Sequence, residues 1–174
     1  MTYSSKRSHA ICVGMVSLGF CASGWASTCV DWVVPTTPAS EFSIAEQVLV
    51  HRATGLEWGR CSLGQRYQDG VCTGEARGYT FHDAASAAEA SDHAGHNDWR
   101  LPTRSELRTI VEIACYYPAI NTSLFPQTPV TGFWTSSIDP EDGRAWVVGF
   151  ANGYIMMTDL PGYNRVRLVR TSDQ

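Results

Sequence analysis

Four cysteines set the tightest limit on what this chain can fold into. The sequence holds six, and two of them, Cys12 and Cys21, lie in a leader-like start. That leaves Cys29, Cys61, Cys72 and Cys115. Residues 1–26 open on Lys6 and Arg7, run apolar or small from Ala10 to Phe20, and end on Gly24-Trp25-Ala26. Small residues at the −3 and −1 positions complete the pattern of a signal peptide cut after Ala26. The apolar stretch is about half the roughly 20 residues that a membrane anchor needs. Lipidation at Cys21 is disfavoured by the bulk of Phe20 just before it. An exported chain with an even cysteine count is expected to form disulfides, in the periplasm or outside the cell. Three pairings are open. Cys61–Cys72 with Cys29–Cys115 is favoured: the first closes a short Gly-containing loop, and the second ties the amino terminus to the core. A short loop of the first kind is worth about 3 kcal/mol in the chain-entropy model. No Cys-x-x-Cys spacing points to zinc.

Removing residues 1–26 takes away Lys6, Arg7 and no acid, so the formal charge moves from −4 by two, to −6. Lys6 is the only lysine. A chain without lysine has no Schiff-base, phosphate-loop or general-base lysine. An acidic chain also lacks the basic stripe that displaces counterions from nucleic acid. The 44% hydrophobic share over 174 residues suits one globular domain plus a targeting segment. No Gly-X-Y run, heptad array or other fixed-period repeat occurs. After signal cleavage no segment is long and apolar enough to span a membrane.

Residues 27–44 read as a Pro-, Thr- and Ser-containing lead-in, and residues 45–171 as the domain. Val48-Leu49-Val50 and Leu56-Glu57-Trp58, with Thr54-Gly55 between them, read as a hairpin. Residues 61–78 read as a stapled loop. Thr80 with Asp83 opens a helix whose inner face is Phe81, Ala84, Ala85 and Ala88. Thr103-x-x-Glu106 is a capping box, and Leu107, Ile110, Val111 and Ala114 form the stripe of a second helix ending before Pro118. Strands follow at 133–135, at 145–150 with the Asn152-Gly153 turn and a partner at 154–157, and at 166–170. Short strands around two helices make the fold α+β.

The ordered motifs resemble the Lcl C-terminal domain family, the C-terminal domain of bacterial collagen-like adhesins. The matching strings are Thr54-Gly55-Leu56-x-Trp58-x-Arg60, Trp99-Arg100-Leu101-Pro102-Thr103 with Glu106-Leu107, and Pro118-Ala119-Ile120-Asn121 with Phe125-Pro126. Phe133-Trp134-Thr135-Ser136-Ser137, Val148-x-Phe150 with Asn152-Gly153, and Val166-Arg167-Leu168-Val169-Arg170 complete the set. The resemblance covers roughly residues 45–170. It implies a C-type-lectin-like fold, with two helices packed on small antiparallel sheets. It also implies an exported binding role in adhesion or in recognition of a glycan, a cell surface or an envelope protein. The alternative is an envelope- or pilus-associated interaction domain with no small ligand. An enzymatic cousin of the fold, the formylglycine-generating oxidases, shares a string like Arg100 to Glu106. The cysteine pair expected near its carboxyl end is missing here, since no cysteine follows Cys115, so the chain is expected not to be an enzyme. No cofactor is implied.

Candidate ligand residues are Asp139, Glu141 and Asp142 in one turn, Asn152 on the next hairpin, and Tyr116, Tyr117 and Tyr154 near loops. Asp139, Glu141 and Asp142 form a weak calcium candidate, because calcium takes several oxygen ligands. The sugar-binding triplets of calcium-dependent lectins are absent, and a solvated acidic turn is the plainer reading. His93 and His96 with Asp92 and Asp98 could meet a divalent metal, but their spacing suits an exposed loop equally. Trp58, Trp99, Trp134 and Trp146 are expected in the core. Arg100, beside Leu101 and Pro102, and Arg104 could clamp an anion, but an ion pair of Arg100 with Glu106 that fixes the loop is the preferred role. In the last strand Val166 and Leu168 should face inward, with Arg167 and Arg170 outward or paired.

Overall fold

The computed structural model describes residues 27–173. The expected signal segment lies outside the described residues. The element order is β1 (Thr28–Cys29), β2 (Phe42–Ile44), β3 (Val48–His51), β4 (Leu56–Gly59), β5 (Gln65–Gln68), β6 (Val71–Gly74), α1 (Phe81–Glu89), α2 (Arg104–Arg108), β7 (Cys115–Tyr116), β8 (Gly132–Ile138), β9 (Ala145–Gly149), β10 (Ile155–Thr158) and β11 (Val169–Thr171). The strands form four small antiparallel sheets, ordered β1-β7, β5-β6, β10-β9-β8 and β11-β4-β3-β2. The α+β expectation therefore holds. Among the described residues no helix is long and apolar enough to cross a membrane.

The three-stranded sheet divides the core. Successive side chains on a strand point to opposite faces, so Phe133 and Val148 enter one cluster with Leu107, Ile110, Trp58 and Phe125. Trp134 and Val147 enter the other, with Phe81, Ala84, Ala88 and Trp99. The shorter α2 lies on the first face and α1 on the second. The alanines of α1 allow its close approach, and Phe81 meets Trp134 edge-to-face at 5.7 Å. Thr80 caps α1, accepting from the Asp83 N–H. Cys29 is bonded to Cys115 and Cys61 to Cys72, the favoured pairing. The segment read as a lead-in supplies β1 and β2, and its Phe42 is buried in the first cluster.

Four expectations need correction. The second helix stops at Arg108 instead of running through the stripe. Leu107, Ile110, Val111 and Ala114 are still buried, but Glu112 turns the chain. Its carboxylate accepts N–H bonds from Thr36, Thr37 and Ala114, which binds this stretch to the lead-in. The stapled loop at 61–78 contains the β5–β6 hairpin, whose Asp69-Gly70 turn has φ of 49° and 87°. Trp146 is only half-buried: it lines an open cleft beside Arg104 and Ser105 at the start of α2. Arg167 is neither outward nor ion-paired: it is fully buried, donating to the Gly59 and Arg60 carbonyls and to Thr128 Oγ1. Its guanidinium lies over Phe125 and Phe133 at 5.1 and 5.6 Å. Burial pushes it down to about 9.

Candidate functional site

The sequence-derived ligand residues separate into two groups. Asp139, Glu141 and Asp142 occupy the β8–β9 turn, and Asn152 and Tyr154 lie beyond the opposite end of β9. Five residues at about 3.3 Å each put the two ends roughly 16 Å apart. Asn152 joins Tyr116, Tyr117 and Tyr154 instead, because the Tyr117 N–H donates to the Ala151 carbonyl at 2.8 Å. The Tyr116 and Tyr117 rings meet edge-to-face at 5.9 Å. In the acidic turn, Asp142 takes both Nε and Nη2 of Arg144, at 2.7 and 2.5 Å. That guanidinium holds its carboxyl below the usual carboxylate range. Asp139 Oδ1 accepts the Glu141 N–H. Asp98 is held by Arg170, and the His93 and His96 rings pack against Trp99. Among the described residues no group of three or more His, Cys, Asp or Glu side chains converges as a metal cage.

Arg100 and Glu106 do what the preferred reading required. Nη1 and Nη2 of Arg100 each donate to one Glu106 oxygen at 2.8 Å. Glu106 also accepts the Thr103 N–H at 2.7 Å, closing the capping box. These bonds fix the Trp99–Thr103 turn, where Trp99 is buried and its Nε1 donates to the His93 carbonyl at 2.8 Å.

A cleft of about 580 Å³ opens beside that fixed turn. One wall is β5, with Gln65, Arg66 and Tyr67; Arg77 and Tyr79 continue it, and Gln47 and the 91–94 turn face it. Each wall is anchored. Cys61–Cys72 staples the β5–β6 hairpin. The Arg60 guanidinium lies 4.0 Å from the Tyr67 ring centre and donates to the Leu124, Glu46 and Ser123 carbonyls. Gly64 is required, because its φ is +97° and a Cβ there would sit 2.9 Å from Arg77 Cγ. Arg66 and Arg77 make no ion pair with the described residues, so their donors are available. His93 Nε2 meets the Gln47 carbonyl at 3.3 Å, and burial lowers the imidazole from its ordinary value. At neutral pH it is an uncharged strut. The cleft thus offers amides, a phenol face and guanidinium donors on rigid supports.

Sequence reading missed Gln47, Arg66, Tyr67, Arg77 and Tyr79. The signal was Asp69-Gly70, a two-residue hairpin turn that places Arg66 and Tyr67 on its first strand.

The family model for the Lcl C-terminal domain matches residues 47–170. The chain belongs to the Lcl C-terminal domain family. The matched span holds the whole arginine–tyrosine cleft, α1, α2 and the central sheet of this Lcl domain, while Cys29 lies before it. No curated protein matches the chain. The two disulfides of the chain are consistent with an exported protein.

Proposed function

We propose that this Lcl domain is an exported, non-enzymatic recognition module with a C-type-lectin-like fold, binding a glycan or a cell-surface ligand. The observation that carries the reading is the arginine–tyrosine cleft. It is polar, aromatic on one wall, and built on residues already fixed by a disulfide and buried hydrogen bonds. Preformed concave sites with a few placed polar groups are what ligand binding favours. Catalysis finds no comparable support. The Ser91 hydroxyl accepts the His93 backbone N–H, while His93 Nε2 meets the Gln47 carbonyl. All four cysteines of the described residues are in disulfides.

A glycan array tests the reading. Binding by the wild-type protein, lost in Tyr67→Ala and Arg66→Ala, is the expected result. A folded wild-type protein that captures no glycan and no cell surface sinks it.

One observation favours the envelope-protein alternative. Trp32 and Val34 are 80% and 81% exposed, and Ile113, Tyr117 and Tyr154 are also exposed. The Ile113 N–H donates to Thr36 Oγ1 and the Tyr117 N–H to Ala151, which gathers them at one end. Exposed apolar groups gathered in this way suit a protein surface.

A further inference from the structure

We infer that Trp146 is the platform of a second binding site, which takes a neutral saccharide by stacking a pyranose ring on the indole. This goes beyond the cleft described above and rests on the recognition reading only in that the ligand is a glycan.

Trp146 is the exception among the strand tryptophans. Trp58 and Trp134 are completely buried, whereas Trp146 is only half-buried and lines a cleft of about 380 Å³. The cleft is lined by Trp146 together with Arg104, Ser105, Ser137, Ile138 and Asp139 among others. The register of β8 against β9 shifts between Trp134 and Ile138, and Ser137 and Ile138 of this irregular stretch line the cleft. Bulged strands recur beside binding sites because they re-aim side chains. The irregular stretch is still well held. Thr135 Oγ1 donates to the Trp146 carbonyl at 2.8 Å, and the Arg104 N–H donates to Ser137 Oγ at 3.0 Å.

Charge selects the ligand class. The Arg104 guanidinium lies 4.6 Å from the Trp146 ring centre. Arg104 and Asp139 both line the cleft, yet neither makes an ion pair with each other or with another described residue. One carboxylate oxygen of Asp139 accepts the Glu141 N–H, which leaves the second without a partner among the described residues. The cleft therefore carries one positive and one negative group with no excess of either. A carboxylate accepts from sugar hydroxyls, a guanidinium donates to them, and the apolar C–H face of the ring lies on the indole. An acidic sugar would meet Asp139 unfavourably. Arg104 has no carboxylate to leave, so it can slide along the ring as the sugar enters.

The test is binding of purified protein to immobilised neutral hexasaccharides (gluco-, manno-, xylo- and chito-oligomers) beside polygalacturonate. Wild type, Trp146→Ala, Trp146→Phe and Asp139→Asn are compared, each with its Tm. Neutral oligomers should bind wild type. Trp146→Ala should weaken them by about tenfold or more, and Asp139→Asn should weaken them too. Trp146→Phe, which keeps an aromatic face, should restore most of the affinity, which a purely structural loss would not explain. Equal binding by wild type and Trp146→Ala overturns the inference, and so does binding of polygalacturonate alone. The second result leaves the recognition reading intact, whereas no binding to any glycan or surface removes both.

Discussion

Arg170 and Glu57 face each other across β11 and β4, both almost completely buried, and Nη1 of the arginine donates to Oε2 of the glutamate. The remaining donors of Arg170 reach Asp98 and Asp173, so one guanidinium serves three carboxylates. Removing one partner of a buried pair leaves the other charge uncompensated, at a cost of about 3–5 kcal/mol. Arg170→Met should lose stability on that scale in urea titration. Adding Glu57→Gln should recover part of the loss, because it neutralises the stranded acid. Purely additive losses in the double variant would show that the pair is not coupled.

Glu112 carries the acid sensitivity of the lead-in. Burial pushes its carboxyl up, but N–H donors from Thr36, Ala114 and Thr37 outweigh that and hold it below the usual range. Glu106 is lowered chiefly by Arg100. A carboxyl with a depressed folded value adds stability above its unfolded value of about 4.3, and this is lost as pH falls through the folded value. Unfolding monitored from pH 7 to pH 2 should therefore show stability falling below about pH 4.5. Glu112→Gln should flatten part of that slope and lower stability at pH 7 by about 1–3 kcal/mol. An unchanged slope would remove Glu112 from the account.

The capping box gives a smaller, local effect. Thr103 Oγ1 accepts the Glu106 N–H at 3.2 Å. Thr103→Ala should cost about 1 kcal/mol, and Glu106→Ala should cost more, since it also frees Arg100 and the Thr103 N–H. Equal losses in the two variants would mean that the Arg100 bond adds nothing.

Local signals were legible, and signals that need a partner from far along the chain were not. The β3–β4 hairpin and both helix starts follow from neighbours within a few residues. The end of α2 does not, because Glu112 finds Thr36 and Thr37 only in the folded chain. Alternation shows that Trp146 and Val148 share a face of β9, but not that Val148 is fully buried while Trp146 is left partly open beside Arg104. Arg167 looked like a surface residue because carbonyls and phenyl rings, rather than acids, receive it. The acidic turn and Asn152 were joined in sequence by proximity and separated in space by the length of β9. The arginine–tyrosine cleft was legible in part, through the Asp69-Gly70 turn, but its facing wall at Gln47 and 91–94 is a tertiary contact.

The Cys61–Cys72 staple should stabilise one region more than the rest. The β5–β6 hairpin pairs only with itself, and an isolated hairpin is marginal in water. Its main ties to the domain are the disulfide, the Cys72 N–H bond to Gln127 Oε1 at 2.7 Å and the Arg60–Tyr67 stack. Replacing both cysteines by alanine should lower global stability by about 3 kcal/mol. Hydrogen exchange should then rise most at residues 65–74 under native conditions, while β3, β4, β8 and β9 keep their ranking, because local opening needs only the hairpin to detach. A uniform rise across all the sheets would mean that the staple acts on the whole unfolded chain and does not hold the cleft wall in place.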